Sequence, residues 1–342
     1  MSVKRVGYVR LIFLLIVLCG ISCVSPRAGT NADNQRPFTI VMLPDTQYYS
    51  KSHPDRFYAQ TEWIKQNCDK ENIVFVTHLG DIVNDRTKNM SQWAVASEAM
   101  ATLDGIVPWG VAIGNHDYDT DMIAKGGATV WVERFGPQRF KDCEWFGGAS
   151  PNQLNSYQLF SAGGVDFIIF HLEVNVPGEA MAWVQDILKR YPTRAAIVST
   201  HVYIKGTDGL KRDPDRRYRK DGHSGEEIWD ELVRVNPQIF MVLCAHVTRA
   251  EEFYQISVND AGHKVLEMLA DYQGRANGGD GWLRLIQFVP TSRKIQVRTY
   301  SPSLDRFETD ASSQFTIPWD LPDACRVSQQ RVSGTRPVKL LQ

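Results

Sequence analysis

Apolar runs alternate with helical patterns over the first two thirds of the chain. Residues 38–43 and 73–76 are almost entirely apolar, which is typical of strands buried on both faces of a parallel sheet. Residues 54–68 begin with a proline, and residues 91–103 carry apolar side chains three and four positions apart, so both segments are predicted as helices. The alternation continues as strand, helix, strand, helix and strand at 111–113, 178–191, 195–199, 224–235 and 239–243.

Beyond residue 243 the helical period disappears and strands remain. Two earlier strands, at 157–160 and 165–172, flank an Ala-Gly-Gly segment and are predicted to form a hairpin. Residues 118–155 are rich in glycine and aromatic residues and are predicted to be an irregular inserted region. The late strands are predicted at 253–258, 264–269, 282–289 and 294–300.

This order of elements predicts an α/β (α+β) protein built on mixed sheets. Residues 37–320 contain no Pro- or Gly-rich break, so we expect a single domain there. Residues 24–36 are polar and rich in Pro, Gly and Asn, as expected of a linker. Residues 321–342 are expected to be a C-terminal tail, which is polar and weakly basic from residue 326.

The first 23 residues have the pattern of an export signal. Basic side chains precede an apolar run at 11–21, which is shorter than the roughly 20 residues that span a bilayer. A retained N-terminal anchor is the alternative. Cys23 follows a small residue, as in bacterial lipoproteins, so a lipid on Cys23 would anchor the protein to a membrane. We therefore predict an exported protein that is periplasmic, a membrane-anchored lipoprotein or extracellular.

Composition narrows the function classes. The 342 residues include 38 Lys and Arg against 39 Asp and Glu, and this near-neutral balance argues against specific nucleic-acid binding across the surface. The sequence lacks the Gly-rich loops that cradle nucleotide phosphates. The cysteines outside the export signal are far apart, which excludes a C-x-x-C metal or redox motif. Cys244 ends an apolar run and is predicted to be a buried thiol.

The predicted buried strands end in polar side chains that are costly to bury alone. Ligands of open α/β sheets gather at the carboxyl ends of strands. Carboxylate, amide and imidazole groups together suit Mn²⁺, Fe or Zn²⁺. The polar groups at the strand ends are Asp45-Thr46-Gln47, Gly80-Asp81, Gly114-Asn115-His116-Asp117, Ser199-Thr200-His201 and Ala245-His246-Val247-Thr248.

This ordered set resembles the calcineurin-like metallophosphoesterase superfamily, whose blocks run D-x-H, G-D-x-x-[DN], G-N-H-[DE], a lone His and G-H-x-H. The blocks occur here in that order at comparable spacing, over most of residues 37–300. The opening D-T-Q-Y-Y and the segment 277–282 are similar to an exported bacterial branch of that superfamily. The resemblance implies a four-layer αββα sandwich, in which two stacked mixed sheets are flanked by helices.

The resemblance also implies two adjacent divalent metal ions, with Mn, Fe or Zn as candidates. Asp81 would bridge the two ions. Asn115, His201 and His246 would complete the second metal site, and all of them are present.

The first metal site departs from the superfamily pattern. Asp45 and Asp81 are present, but Gln47 and Thr248 stand where two histidines are usual. Gln47 could bind through its amide oxygen. The site could hold a harder and weaker metal with extra waters, another residue could supply the missing ligand, or only one metal could bind. By sequence, the nearest substitutes are His78, Asp85 and Tyr48.

The implied reaction is hydrolysis of a phosphomonoester or phosphodiester by a metal-bound hydroxide. Asn115 and His116 would contact the substrate, and His116 would protonate the leaving oxygen or stabilise charge in the transition state. Asp117 would orient His116 and hold its proton. The departures in the first metal site also motivate a rival hypothesis, a secreted non-catalytic binding module on a degenerate version of the same fold.

Overall fold

A computed structural model describes residues 33–120, 126–206 and 212–325. The predicted export signal with its cysteine, most of the predicted linker and the tail from residue 326 lie outside these ranges. Within the described residues, no helix combines the length and the apolar character needed to cross a bilayer.

In the described part of the chain, the first of two mixed sheets has seven strands, numbered along the chain. They are β1 (Phe38–Leu43), β2 (Ile73–His78), β3 (Trp109–Val111), β11 (Leu283–Val289), β12 (Lys294–Ser301), β13 (Arg306–Glu308) and β14 (Gln314–Pro318). Their order is β13-β12-β11-β1-β2-β3, and β14 also pairs with β12. The three strands β1, β2 and β3 are parallel to one another, so their carboxyl ends share one edge.

The second sheet also has seven strands. They are β4 (Phe146–Ala149), β5 (Ser156–Ala162), β6 (Val165–Leu172), β7 (Ala195–Thr200), β8 (Ile239–Cys244), β9 (Glu252–Val258) and β10 (Lys264–Ala270). Their order is β4-β5-β6-β7-β8-β10-β9. The strands β6, β7, β8 and β10 are parallel, whereas β9 pairs with β10 in the antiparallel sense.

Helices cover both outer faces, and an apolar layer joins the two sheets. Ile40 and Phe75 of the first sheet share this inner cluster with Ile169, Ile197 and Met268 of the second. The second sheet packs against helices at Gly178–Arg190 and Gly225–Ile228, and the first packs against the helices that precede β4 in the chain. The helices are α1 (Gln47–Ser52), α2 (Pro54–Asn67), α3 (Met90–Ala101), α4 (Thr129–Phe135), α5 (Pro137–Phe140), α6 (Gly178–Arg190) and α7 (Gly225–Ile228), the last continued by a π-helical turn at Trp229–Val233.

The predicted α/β class and the four-layer αββα sandwich are confirmed. The prediction of an irregular region at 118–155 was wrong in part, because α4, α5 and β4 lie there. Leu321 and Cys325 are buried in the inner cluster, so the packed chain continues past residue 320, where we predicted the tail to begin. Cys244 is a buried free thiol, as predicted.

Candidate metal centre

The predicted ligands lie where the carboxyl ends of the parallel strands meet. In the first sheet, Asp45, Asp81 and Asn115 follow β1, β2 and β3. In the second sheet, His201 and His246 follow β7 and β8. The imidazole of His201 contacts the carboxylate of Asp81, so the two sheets bring their carboxyl edges together at this point. Such an edge is the usual ligand position in α/β sheets.

Asp81, His201 and His246 form a compact group. The Nε2 atom of His201 lies 3.0 Å from Oδ2 of Asp81 and 3.2 Å from Nδ1 of His246. One ligand atom from each of the three residues lies within 4.8 Å of the others. Asn115 is buried in the turn that follows β3. A carboxylate with two imidazoles is a donor set that fits a divalent transition metal.

In each of the two imidazole rings, one nitrogen contacts a group outside the set of Asp81, His201 and His246. Nδ1 of His201 lies 2.9 Å from the carbonyl oxygen of Leu79, which can only accept a hydrogen bond, so this nitrogen carries the hydrogen. Because Nδ1 already carries a hydrogen, the contact of Nε2 with the carboxylate of Asp81 needs a second proton on the ring, and Nε2 offers its lone pair to a metal once that proton is lost. Nε2 of His246 lies 3.0 Å from the hydroxyl of Tyr218, and its Nδ1 faces His201. Histidines that bind metals are commonly oriented in this way.

Burial and charge set the protonation of these groups. Burial, with His201 as the next cause, lowers the pKa of His246 to about 3, so its ring is neutral near pH 7 and able to bind a metal. Burial alone would lower the pKa of His201, but Asp81 raises it. Burial works against ionisation of Asp81, yet the charge and hydrogen bond of His201 hold its pKa well below the usual range. Asp81 is therefore ionised and suited to binding a cation.

Two glycines allow the second and third sequence blocks to touch. A Cβ atom added at Gly80 would lie 2.7 Å from the amide nitrogen of Gly114, and one added at Gly114 would lie 2.1 Å from the amide nitrogen of Asp81. Asp81 and His246 themselves have φ angles of 51° and 73°. This left-handed region costs a non-glycine residue about 1–3 kcal/mol and is frequent at functional sites.

His116 stands beside this group, but its ring has a different partner from the one predicted. Its backbone amide donates to Oδ1 of Asp81 at 2.6 Å, and Nδ1 of its ring lies 2.9 Å from the carbonyl oxygen of Asn84. That carbonyl accepts the hydrogen on Nδ1, so the ring is fixed through this nitrogen.

The predicted orienting role of Asp117 was wrong. Its Oδ2 accepts a hydrogen bond from the amide of Gly114 at 2.8 Å, and its Oδ1 accepts from the amides of Ile82 and Val83 at 2.9 and 3.3 Å. Asp117 therefore ties the turn after β3 to the turn after β2. Burial, followed by the charge of Asp81, raises its pKa to about 8, against the opposing effect of the amides.

Asp45 lies in a second buried polar cluster. In this cluster Gln47 contacts Gln273, to which the sequence analysis assigned no role. Oδ2 of Asp45 accepts hydrogen bonds from Nε2 of Gln47 at 3.1 Å and from Nε2 of Gln273 at 2.8 Å. Nε2 of Gln273 also donates to Oδ2 of Asp271 at 3.1 Å. Burial and then the charge of Asp271, followed by that of Asp81, raise the pKa of Asp45. Burial raises the pKa of Asp271 to about 6.

Two of the three substitutes proposed for the missing ligands are engaged elsewhere, and the third is exposed. The ring of His78 accepts from the amide of Gly80 at 3.1 Å and bonds the hydroxyl of Thr46 at 2.9 Å, so both of its nitrogens are used. Asp85 accepts from Gln92 at 2.8 Å, and Tyr48 has 38% of its surface exposed. The interpretation that one of these three completes the first metal site is therefore not supported by their contacts.

Known proteins resemble this chain in sequence and in structure. The chain is 35% identical over 295 residues to the uncharacterised protein YvnB of Bacillus subtilis; the match covers 83% of this chain but 22% of that protein. A dimetal phosphatase from Danio rerio aligns with a TM-score of 0.48 and 11% identity, covering 82% of this chain and 99% of that one. The inner-membrane-complex anchor GAP50 of Plasmodium aligns with a TM-score of 0.48 and 12% identity, covering 84% and 89% of the two chains.

The family model for calcineurin-like phosphoesterases matches residues 38–249. This range is more than half of the chain, and it contains every strand end of the sequence motif, from Asp45 to Thr248. The chain therefore belongs to the calcineurin-like phosphoesterase family.

Proposed function

We propose that this protein hydrolyses phosphate monoesters or diesters with the help of two divalent metal ions. The observation that carries the proposal is the convergence of Asp81, His201 and His246, whose ligand atoms lie within 4.8 Å of one another at the shared edge of the two sheets. The outer nitrogens of both imidazoles have partners, so the inner nitrogens are directed at the same space. This donor set fits the metal ions typical of the family.

The chain's own residues would position the substrate and handle the proton. When bound, the metal ions would supply an activated water at neutral pH and offset charge on the phosphoryl oxygens. The ring of His116 is fixed through Nδ1 by Asn84, so Nε2 would stabilise the phosphoryl charge or hold the proton passed to the leaving oxygen. Asp117 keeps the turn in place through backbone amides and is a positioning residue.

Turnover with and without metal tests the proposal. We expect purified protein to hydrolyse p-nitrophenyl phosphate or bis-p-nitrophenyl phosphate with added Mn²⁺ and to lose the activity in a chelator. Asp81→Asn should lose at least 10²-fold in kcat, because it removes the charge that both metal ions would share. Asp260→Asn is the matched control, since Asp260 is an exposed acid paired with Arg234. Metal binding without hydrolysis of either ester would favour the rival, non-catalytic binding module.

We also propose that the protein is exported and, through Cys23, anchored to a membrane by a lipid. The support is the sequence of residues 1–23, with its basic start, its short apolar run and the cysteine at its end. Mass spectrometry of the mature N-terminus after expression in a bacterium tests this. We expect a lipidated Cys23 and its loss in Cys23→Ser. A protein that retains its first 22 residues would contradict cleavage.

A further inference from the structure

We propose that Asp271 and Gln273 complete the first metal site with Asp45 and Asp81, in place of the two absent imidazoles. The inference deepens the proposed function and rests on it for the presence of metal. The resulting site would be built from carboxylate and amide oxygens, beside a second site that contains two imidazoles. The two positions would therefore differ in the cations that they prefer.

The first support is the distance between the two carboxylates. Nε2 of Gln273 lies 2.8 Å from Oδ2 of Asp45 and 3.1 Å from Oδ2 of Asp271, so both carboxylate oxygens contact the same atom. Asp45 has 1% of its surface exposed, and Asp271 has none. Two carboxylates this close and this dry repel each other unless a cation or a proton is shared between them.

The second support is that the same turn occurs twice, once after β1 in the first sheet and once after β10 in the second. In Asp45-Thr46-Gln47, the backbone amide of the glutamine donates to Oδ1 of the aspartate at 3.0 Å, and Nε2 of its side chain donates to Oδ2 at 3.1 Å. In Asp271-Tyr272-Gln273 the corresponding distances are both 3.1 Å. The two turns face each other, because Nε2 of Gln47 donates to Oε1 of Gln273 at 2.6 Å.

The third support is the position of Thr248, where the family has a histidine. A Cβ atom added at Gly274 would lie 3.6 Å from Cβ of Thr248, so Thr248 lies against the turn that carries Asp271 and Gln273. The side chain at position 248 therefore stands beside the residue that follows Gln273. The position that lacks the family's histidine and the turn that carries the proposed ligands are therefore neighbours in the fold.

The turn is also rigidly held. The amide of Asp271 donates to the carbonyl oxygen of Glu251 at 2.6 Å. The hydroxyl of Tyr272 donates to the carboxylate of Glu252 at 3.0 Å and accepts from Nε of Arg284 at 3.3 Å. Tyr272 is completely buried. A site fixed in this way binds a metal without first having to order its ligands.

The donor atoms favour hard cations. A half-turn of each glutamine amide would direct its oxygen into the space that its nitrogen now faces, and nitrogen and oxygen are interchangeable in shape. Carboxylate and amide oxygens are the ligands preferred by Mn²⁺, Mg²⁺ and Ca²⁺. We therefore expect the first site to favour Zn²⁺ over Mn²⁺ less than the site at His201 and His246 does.

Counting bound Mn²⁺ tests the inference without reference to turnover. Free Mn²⁺ is measured by electron paramagnetic resonance during titration of metal-free protein. We expect two Mn²⁺ per chain for the parent and one for Asp271→Asn, with Asp260→Asn unchanged at two. Asp260 is the matched control, because it lies in the turn before β10, at the end opposite Asp271. The strand has seven residues, which is about 20 Å.

Two further outcomes separate the inference from the proposed function. A parent protein that binds a single Mn²⁺, or an Asp271→Asn protein that binds two with unchanged affinity, would overturn the inference while hydrolysis could still be found. A parent that binds two Mn²⁺, one of them lost in Asp271→Asn, but hydrolyses neither ester would support the inference and contradict the function. If Asp271→Asn does not fold, Gln273→Met decides, because it retains both carboxylates. We expect it to weaken one Mn²⁺ site at least tenfold; two unchanged affinities would overturn the inference.

Discussion

The buried ion pair of Arg284 and Glu252 contacts Tyr272, which lies between Asp271 and Gln273 in the chain. The contribution of this pair to stability can be measured. Nη2 of Arg284 donates to the carboxylate of Glu252 at 2.6 Å, and Arg284 has no exposed surface. The same carboxylate accepts from the hydroxyls of Tyr272 and Thr299 at 3.0 and 3.1 Å. The substitution Arg284→Met keeps most of the side-chain length and removes the charge. It leaves Glu252 ionised and buried, with hydroxyl partners alone.

Loss of one member of a buried ion pair typically costs about 3–5 kcal/mol of unfolding free energy, because the remaining charge stays out of water without its partner. Glu252 has 8% of its surface exposed, so we expect the cost to fall in this range. For a domain of this size the entropy of unfolding is about 0.6 kcal/mol per kelvin, so Tm should fall by roughly 5–8 °C.

The assay is thermal unfolding in chelator, with Arg284→Met, Glu252→Gln and the double variant measured together. Glu252→Gln removes the charge on the other side and should also destabilise the protein. In the double variant neither charge remains, so the combined loss should be smaller than the sum of the single losses by about 2 kcal/mol or more. Losses that simply add would refute the interpretation that the two side chains stabilise each other.

Three further predictions concern single side chains. His116→Ala should lower kcat by ~10²-fold or more while Mn²⁺ stoichiometry stays at the parent value, as expected for a group that handles a proton; an unchanged kcat would exclude that role. Tyr218→Phe should weaken the metal site at His246 about 10- to 100-fold in a binding titration, because the ring loses the hydroxyl that orients it, and an unaltered affinity would show that the contact is incidental. Cys244 should resist iodoacetamide at pH 8 until the protein unfolds, since burial raises its pKa to about 12; peptide mapping that finds rapid native labelling would contradict this.

Much of the fold could be predicted because long elements leave a periodic signal. The predicted helices at 54–68, 91–103 and 178–191 correspond to α2, α3 and α6 with small shifts at their ends. The shorter helices α1, α4 and α5 escaped prediction. The six residues of α1 read Gln-Tyr-Tyr-Ser-Lys-Ser, and the four of α5 make a single turn, so neither shows a repeat. These elements form through contact with the first sheet, which a local pattern does not contain.

The motif order located the candidate ligands, but it could not show where each side chain points. Asn115, His116 and Asp117 are consecutive, and the family resemblance implied that Asp117 orients His116. In the structure the carboxylate of Asp117 meets backbone amides of two different turns, and the ring of His116 bonds a backbone carbonyl. Nearly every residue carries a backbone amide and carbonyl, so the sequence does not show which of them a side chain will contact. Contacts made through them can therefore be recognised only once the turns are built.

The second aspartate–glutamine turn was visible in the sequence and was still overlooked. Asp271 follows the apolar residues of β10, just as Asp45 follows β1, but the segments after residue 243 were predicted only as successive strands, with no order in a sheet. In the structure the chain passes from β8 to the outer strand β9 and returns as β10, which enters between them and runs parallel to β8. This placement brings the end of β10 to the edge that carries His246. The position of Asp271 beside Asp45 is thus a consequence of strand order, which hydrophobic periodicity does not encode.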